Sequence, residues 1–391
     1  MPKLLETVDL VTNFYTYEGV VQALDKVSLT VNHGMTFGLV GESGCGKSVT
    51  VRSMMRIIQE PGRVEGGRIL LYPTAAVDSE AIDLLQQSES YMQGLRGDSI
   101  SMIFQEPNAA LNPIMSIGDQ VSESFLFHRK RDMCQKINED LNAGDCRTFY
   151  PLKKVLQVFY RFAEKRPHAW LLKVMSRIPI LKIWDKRLRQ EAIRRSIEIV
   201  EKLGIPNAAE IVRLYPHNLS GGMKQRIVIA IALACNPVLL IADEATSNLD
   251  VTIQAQILEL LRELKQQEIS SVLLITHDLG VVAETCDRVG VMYAGNLCEV
   301  ADVKDIFRSP KHPYTKALLN SVPKLSQEGE LQSIEGNVPN LVTPPPGCRF
   351  HPRCKHAMDI CRRQFPELVQ VGKNHIVACY LWTDQPRKSI P

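Results

Sequence analysis

Residues 41–48 are Gly41-Glu42-Ser43-Gly44-Cys45-Gly46-Lys47-Ser48, which fits the pattern Gly-x4-Gly-Lys-Ser/Thr. An apolar strand is predicted before this stretch, over Met35–Val40, and a helix after it, over Val49–Ile58. Glycines let successive backbone N–H groups point into a phosphate-sized cavity, and the helix N-terminus adds a favourable dipole. Lys47 can then reach the β- and γ-phosphates of a nucleotide, and the Ser48 hydroxyl can ligate Mg²⁺. We therefore expect a nucleotide phosphate site formed by Gly41, Glu42, Ser43, Gly44, Cys45, Gly46, Lys47, Ser48 and Val49.

A second stretch, Val238-Leu239-Leu240-Ile241-Ala242-Asp243-Glu244, is an apolar strand that ends in two carboxylates. Burying carboxylates costs free energy unless something at the end of the strand uses them. Asp243 is expected to bind Mg²⁺, directly or through water, and Glu244 to polarise the attacking water as the general base. Together with the phosphate loop, this strand predicts hydrolysis of a nucleoside triphosphate.

A third stretch, Leu219-Ser220-Gly221-Gly222-Met223-Lys224-Gln225-Arg226, precedes the strand above and opens a predicted helix. Its glycines and helix start indicate a second anion-binding site on the same chain. One nucleotide does not need two such sites. The second site is therefore predicted to serve a nucleotide bound mainly by another subunit.

These three stretches together resemble the motifs of ATP-binding-cassette (ABC) ATPases. The resemblance implies an α/β fold, the P-loop NTPase fold of an ABC nucleotide-binding domain. This fold has a parallel-sheet core, an antiparallel β subdomain and a helical subdomain, here with an insertion. It also implies ATP and Mg²⁺ as cofactors, with each ATP held between the phosphate loop of one subunit and Ser220, Gly221, Gly222 and Gln225 of the other.

The same resemblance assigns roles to three further residues. Gln105, in Phe104-Gln105-Glu106-Pro107, corresponds to the residue that touches Mg²⁺ and its water and faces the transmembrane partner. Asp250, in Ser247-Asn248-Leu249-Asp250, corresponds to a residue at the dimer interface, although Asn248 departs from the family's usual alanine. His277, in Thr276-His277-Asp278, corresponds to the histidine that contacts the γ-phosphate.

An aromatic residue that stacks on adenine is expected before the phosphate loop. Tyr17 is the preferred residue, and Tyr15 and Phe14 are the alternatives. Any one of these aromatic side chains could equally belong to the core.

The C-terminal part of the chain shows a narrower resemblance. His312-Pro313-Tyr314-Thr315-Lys316-Ala317-Leu318-Leu319 and residues 345–354 look like the C-terminal extension of oligopeptide/dipeptide importer ATPases. Four of the ten cysteines, Cys348, Cys354, Cys361 and Cys379, fall in the last 44 residues. Four thiolates can hold Zn²⁺ or an iron–sulfur cluster. The resemblance implies a [4Fe-4S] cluster, with zinc and four free buried thiols as the alternatives.

The domain layout predicted from the sequence has three parts. An ABC ATPase domain spans 1–320, a linker spans 321–347 and a Cys-rich module spans 348–391. Residues 128–195 form a basic helical insertion with 18 Lys or Arg and 7 Asp or Glu. This insertion is predicted to be either an extra helical subdomain with a solvated basic face or an element that docks on a membrane surface or partner.

Composition excludes several classes of protein. The chain is 45% apolar and 23% charged, with a net charge of +3, which is typical of a globular protein and too small to indicate nucleic-acid binding. No apolar run approaches the roughly 18 residues that cross a bilayer, and the N-terminus lacks the apolar core of a signal peptide. We expect a peripheral protein at the cytoplasmic face of the inner membrane.

The sequence thus predicts an ATPase subunit that powers uptake of oligopeptides or dipeptides. The resemblance implies two transmembrane permease subunits, a second, different ABC ATPase subunit that completes a heterodimer, and an extracytoplasmic solute-binding protein, with no nucleic acid. The alternative is a soluble ABC ATPase that acts on nucleic acid in repair or translation. Substrate identity, whether peptide, nickel or sugar, is not specified by the sequence.

Overall fold

The computed structural model describes residues 2–74, 80–143, 150–165, 182–245, 251–267, 271–321 and 334–383. The strands in these ranges are β1 (Lys3–Thr16), β2 (Gly19–Asn32), β3 (Thr36–Val40), β4 (Gly62–Leu71), β5 (Ile82–Asp83), β6 (Ile100–Ile103), β7 (Leu239–Asp243), β8 (Ser271–Ile275), β9 (Arg288–Tyr293), β10 (Asn296–Asp302), β11 (Val369–Gly372) and β12 (His375–Val377). The α-helices are α1 (Lys47–Met54), α2 (Glu89–Leu95), α3 (Pro107–Ala110), α4 (Ile117–His128), α5 (Lys130–Ala143), α6 (Tyr150–Lys165), α7 (Lys182–Lys202), α8 (Ala208–Ile211), α9 (Gly221–Leu233), α10 (Val251–Gln267), α11 (Leu279–Thr285), α12 (Val303–Arg308) and α13 (Pro313–Asn320).

The chain divides into two compact units. The first contains Met1–Gln93, Val238–Ala245 and Arg262–Pro391, and the second contains Gly94–Pro237 and Thr246–Leu261. The chain therefore leaves the first unit twice and returns to it each time.

Two sheets form the first unit. One is antiparallel, in the order β2-β1-β4-β5. The other has the order β11-β12-β10-β9-β3-β8-β7, in which β3, β7, β8 and β9 run parallel and β10, β11 and β12 pair antiparallel. These sheets confirm the parallel core and the antiparallel β subdomain predicted from the sequence.

The parallel strands owe their position to their apolar sequences. Every residue of β3 (TFGLV), β7 (LLIAD) and β8 (SVLLI) is buried, as expected of parallel strands covered on both faces. The prediction of a strand over Ser271–Ile275 is confirmed residue for residue. The predicted helix over Val49–Ile58 begins earlier, at Lys47, and ends earlier, at Met54.

The Cys-rich segment is continuous with this sheet. Its strand β12 pairs with β10 through Glu299 opposite Val377 and Val300 opposite Ile376. The Trp382 indole N–H also donates to the Lys311 carbonyl at 3.2 Å. Strands β11 and β12 of this segment therefore extend the edge of the main sheet.

Helices dominate the second unit. Helix α4 packs on α7, and α5 packs on α6 and α7. Ser116 caps α4 because its hydroxyl accepts from the Asp119 backbone N–H at 3.1 Å. Helices α5, α6 and the first 14 residues of α7 fall in the range 128–195, so the described part of this range is largely helical.

Some predicted features lie outside the described residues. They include Asp250 with the rest of 246–250, residues 166–181 of the insertion and residues 322–333 of the linker. In the described ranges, none of the helices combines the length and apolar character needed to cross a membrane.

Candidate functional site

The loop after β3 has the conformation that its glycines predict. Gly41, Gly44 and Gly46 have φ angles of 154°, 76° and 101°, which other residues adopt only with strain. A Cβ atom on Gly46 would also lie 2.8 Å from the Ala23 carbonyl oxygen. The loop then enters α1 directly, with Gly46 as the residue before the helix.

The Lys47 side chain is held over this loop by backbone carbonyl groups of the loop. The Lys47 ammonium is buried and donates to the carbonyl oxygens of Gly41 at 2.9 Å and Glu42 at 3.0 Å. These contacts compensate the burial of the charge and fix the ammonium beside the glycine-rich turn. An ammonium in this place can meet phosphate oxygens that enter the loop.

The end of β7 meets the start of α1. The Ser48 hydroxyl donates to Asp243 Oδ1 at 2.8 Å, and Asp243 is fully buried. Among the described residues, Asp243 Oδ2 is buried without a hydrogen-bond partner. Burial raises the pKa of Asp243, although the Ser48 hydrogen bond and the charges of Arg52 and Lys47 oppose the shift. The Ser48 hydroxyl and the Asp243 carboxylate offer the oxygen ligands that Mg²⁺ prefers, so these two residues fit a magnesium ion.

Glu244 and His277 form the next part of the site. Glu244 has a φ of 47°, a strained conformation for a residue other than glycine, and its backbone N–H donates to the Ile275 carbonyl at 3.0 Å. Its carboxylate Oε1 lies 3.6 Å from His277 Nδ1, and the His277 side chain is 65% exposed. The ends of the parallel strands β7 and β8 thus bring Asp243, Glu244 and His277 together.

The remaining predicted residues of the hydrolytic and signature motifs lie in the second unit. Gln105 follows β6 and is half-buried. Ser220 caps α9, because its hydroxyl accepts from the Met223 backbone N–H at 3.3 Å, and Gly221 and Gly222 begin the helix. Gln225 is buried one turn further along. The predicted helix start is therefore confirmed, while the catalytic and nucleotide-binding roles of these residues stay predictions.

The aromatic residues before the loop lie near the hairpin between β1 and β2. Tyr17 is in the turn and is 98% exposed. Tyr15 is less exposed, and its hydroxyl donates to Glu65 Oε1 at 2.8 Å. Tyr17 is thus available for stacking and is not a core residue, whereas the Tyr15 hydroxyl already has a protein partner.

Sequence reasoning missed two residues, Arg353 and Tyr314, that contact the loop from the C-terminal part of the chain. Arg353 donates to both carboxylate oxygens of Glu42, at 2.7 and 3.1 Å, and the Tyr314 hydroxyl accepts from the Glu42 backbone N–H at 2.9 Å. The only sequence signal was the presence of a carboxylate in an anion-binding loop, which calls for a neutralising partner somewhere in the chain.

The four C-terminal cysteines line one cavity. Cys348, Cys354, Cys361 and Cys379 share it with residues that include Phe350 and His312. Burial raises the pKa of Cys348 to about 12 and of Cys379 to about 11, so both are protonated thiols at neutral pH without a bound cation. In the part of the chain that the structure describes, no three His, Cys, Asp or Glu side chains converge as a metal-ion site. Neither the [4Fe-4S] cluster nor the Zn²⁺ ion that the sequence suggested is therefore supported by the side chains of the described residues.

A buried parallel sheet with a glycine-rich phosphate loop, a lysine, a serine–aspartate pair and a glutamate–histidine pair defines a P-loop ATPase. The profile of the family described as "ABC transporter" matches residues 24–247, and that of "Oligopeptide/dipeptide transporter, C-terminal region" matches residues 298–361. The chain belongs to the ATP-binding subunits of ABC transporters.

Two relatives from Bacillus subtilis (strain 168) are similar over nearly the whole chain. "Dipeptide transport ATP-binding protein DppD" is 43% identical over 383 residues, which are 97% of this chain and 95% of the relative. "Oligopeptide transport ATP-binding protein AppD" is 40% identical over 386 residues, which are 98% of each.

Solved structures agree on the fold. One is a dimeric structure of a post-hydrolysis state of the ATP-binding cassette MJ0796 bound to ADP and Pi. Its TM-score is 0.53 at 20% identity, and the alignment covers 77% of this chain and 99% of the MJ0796 chain. Another dimeric structure of MJ0796, a bacterial ABC transporter cassette, has the same TM-score and coverage at 21% identity. At this identity the likeness concerns the fold alone.

Proposed function

We propose that this chain hydrolyses Mg·ATP and thereby powers the uptake of dipeptides or oligopeptides through separate permease subunits. The observation that carries the proposal is the meeting of the phosphate loop with the ends of β7 and β8. There the Lys47 ammonium, the Ser48–Asp243 pair and the Glu244–His277 pair lie on one compact unit.

Phosphate binding falls to the loop and Lys47. Backbone N–H groups of residues 41–49 would surround the β-phosphate, and Lys47 would bridge to the γ-phosphate. Tyr17 is proposed to stack on the adenine ring, which its exposure allows. Such contacts hold the triphosphate in line for attack without a covalent intermediate.

The Ser48 hydroxyl and Asp243 carboxylate are the proposed magnesium ligands, with Gln105 near the bound water. Support comes from Asp243 Oδ2, which is buried and lacks a hydrogen-bond partner in the described residues. Bound Mg²⁺ would neutralise charge on the phosphates. It would also compensate the buried Asp243 carboxylate, which Ser48 alone satisfies only in part.

Hydrolysis is assigned to Glu244 and His277. Glu244 would accept a proton from the water whose oxygen forms a bond to the γ-phosphorus, while the bond to the leaving ADP oxygen breaks. His277, 3.6 Å from Glu244, would contact the γ-phosphate and orient the carboxylate. Its exposed side chain is accessible to a nucleotide.

A second subunit would complete each site. Ser220, Gly221, Gly222 and Gln225 are proposed to bind the γ-phosphate of the nucleotide on the partner, and Asp250 to lie at the subunit interface. The start of α9, where Gly221 and Gly222 follow the Ser220 cap and the helix dipole favours anions, supports the first assignment. The partner is proposed to be a different ABC ATPase chain, so that the dimer is a heterodimer.

The transported substrate is proposed from the relatives, whose names specify dipeptide and oligopeptide transport. Two permease subunits and an extracytoplasmic solute-binding protein would then complete the importer. The chain would be peripheral, at the cytoplasmic face of the inner membrane.

The four cysteines are proposed to hold a [4Fe-4S] cluster with a structural role. All four line one cavity, and Cys₄ ligation is typical of such clusters. A cluster would tie together a segment with little core of its own. Full-length protein purified anaerobically should contain iron and acid-labile sulfide, and Cys354→Ser should lose both; the absence of iron and sulfide from the parent protein would refute the assignment.

The function is tested by isolating the full chain from gently solubilised native membranes and identifying what co-purifies. Two permeases and a second ATPase are expected, together with Mg·ATP hydrolysis that Lys47→Ala abolishes and the exposed-site control Lys304→Ala retains. Ribosomal proteins or nucleic acid without a permease would contradict the proposal and favour the nucleic-acid alternative.

A further inference from the structure

The phosphate loop carries a negative charge of its own, the Glu42 carboxylate. Two charges of the same sign repel each other, and in a partly buried place water screens that repulsion only incompletely. A carboxylate next to a bound triphosphate would therefore weaken binding unless a cation neutralised it. Arg353 supplies that cation through two hydrogen bonds, from Nη1 at 2.7 Å and from Nη2 at 3.1 Å.

Arg353 is itself fixed in place. Its side chain is only 6% exposed, and it donates to the backbone carbonyls of Glu335 and Ile334 at 2.9 and 3.1 Å. It also lies over the Tyr293 ring, 5.7 Å from the centroid. A guanidinium with this many partners holds Glu42 in one orientation, because its planar fork loses little freedom when it binds a carboxylate at two points.

A second contact reaches the backbone of the same loop residue. The Tyr314 hydroxyl accepts from the Glu42 N–H at 2.9 Å. Tyr314 is fully buried and packs on Tyr293 and Phe350, with ring centroids 4.6 and 5.3 Å away. The side chain of Glu42 and its backbone are thus both held by residues of the C-terminal segment, which is defined here as residues 313–321 and 334–383.

We propose that Arg353 and Tyr314 are positioning residues of the nucleotide site, through which the C-terminal segment controls the affinity of the phosphate loop for Mg·ATP. Arg353 neutralises and orients Glu42, and Tyr314 fixes the loop backbone beside it. This inference rests on the proposed function, because it requires the loop to bind a nucleoside triphosphate.

The test measures binding of Mg²⁺ with a non-hydrolysable ATP analogue to the full chain by calorimetry. Arg353→Gln should weaken binding about tenfold, because it leaves the Glu42 carboxylate uncompensated. The affinity of Arg353→Lys should fall between those of the parent protein and Arg353→Gln, since a lysine keeps the charge and loses the two-point geometry. Tyr314→Phe, which removes only a hydroxyl, should weaken binding about fivefold.

Arg288→Gln is the matched control. Arg288 in β9 also ties the C-terminal segment to the sheet, because it donates to the Asn374 carbonyl at 3.3 Å; it pairs with Asp302 of β10 at 3.7 Å, and both contacts lie outside the loop. Its affinity should stay within about twofold of the parent protein. Thermal unfolding of every variant without nucleotide separates a positioning effect from general destabilisation.

The double variant Glu42→Gln/Arg353→Gln should bind the nucleotide no more weakly than Arg353→Gln alone, because the two residues act as one pair. Independent, additive losses would overturn the proposal. So would an Arg353→Gln affinity equal to that of the parent, or an equal loss in Arg288→Gln. If the parent protein and Lys47→Ala bind the analogue equally, the proposed function itself fails, which is a distinguishable result.

Discussion

Replacing Asp243 with asparagine should stabilise the nucleotide-free protein while it disables the site. Asp243 is fully buried at the end of β7, and Ser48 satisfies only Oδ1, whereas Oδ2 has no hydrogen-bond partner among the described residues. Asparagine keeps the acceptor for Ser48 and removes the buried charge. The ionised Asp243 therefore carries a local cost that a bound cation would offset.

The size of the effect follows from the burial of this group. A buried polar atom without a partner costs about 1–3 kcal/mol, and a half-partnered charge lies in the same range or above it. Asparagine leaves an amide that is also incompletely paired, so we expect a net gain of about 1–2 kcal/mol. For a unit of this size, that corresponds to a rise of about 2–8 °C in the unfolding temperature.

Thermal unfolding in magnesium-free buffer, and then with Mg²⁺ and a non-hydrolysable ATP analogue, measures both effects. At a hundred times Kd the ligand should stabilise the parent by about 2.7 kcal/mol, and Asp243→Asn much less. Asp25→Asn is the control with the opposite sign, because Asp25 pairs with the buried Arg349 at 3.2 Å. The reasoning fails if, without ligand, Asp243→Asn is no more stable than the parent. It also fails if the ligand stabilises Asp243→Asn as much as it stabilises the parent.

The advantage of Asp243→Asn should also depend on pH. Burial raises the pKa of Asp243 above its ordinary value of 3.8, so the folded state binds more protons than the unfolded state between 3.8 and the raised pKa. The parent therefore loses stability as the pH rises through that window. Above the raised pKa, the contribution of Asp243 to stability no longer changes with pH. The difference between variant and parent should be greatest at neutral pH and shrink as the pH falls towards 3.8.

Three more substitutions test the rest of the account. Glu244→Gln should lower ATP hydrolysis about 10²–10⁴-fold while nucleotide binding persists, since it removes the base beside His277; a rate within threefold of the parent would exclude that role. Glu299→Gln should destabilise the protein by about 2–4 kcal/mol at pH 7, because the buried carboxylate accepts from His375 Nε2 at 2.6 Å. Burial opposes the shift, but hydrogen bonds from His375 and neighbouring groups lower the pKa of Glu299, so its contribution is complete above about 4.5 and is lost as the pH falls; a deficit that persists in acid would contradict this assignment. Ser220→Ala should cost about 1 kcal/mol in thermal unfolding, because it removes the N-cap of α9, and an unchanged midpoint would refute the capping role.

The parts of the fold that follow from local pattern could be predicted from the sequence. Continuous apolar runs located β3, β7 and β8, and the spacing from Gly41 to Ser48 located the turn between β3 and α1. Asp243 and Glu244 followed from an apolar strand that ends in two carboxylates, whereas His277 was assigned by the resemblance of Thr276-His277-Asp278 to ABC ATPases. The inferences about the strands and the turn need only the periodicity of the chain and its turn residues.

Contacts between distant parts of the chain could not be predicted in this way. Arg353 and Glu42 are 311 positions apart, and no local pattern links them. The pairing of β12 with β10 was equally invisible, because His375–Val377 is too short to show alternation. The C-terminal segment therefore looked like an appendage in the sequence, whereas it forms a sheet edge and holds the phosphate loop.

Peptide uptake driven by this chain is the most direct test of the central claim. Permeases co-purified with the chain would be placed in lipid vesicles with their solute-binding protein, and entry of a labelled dipeptide or oligopeptide would be followed after Mg·ATP is supplied on the ATPase side. The account predicts uptake that requires ATP and is abolished by Glu244→Gln. Equal uptake without ATP, or with Glu244→Gln in place of the parent chain, would contradict it.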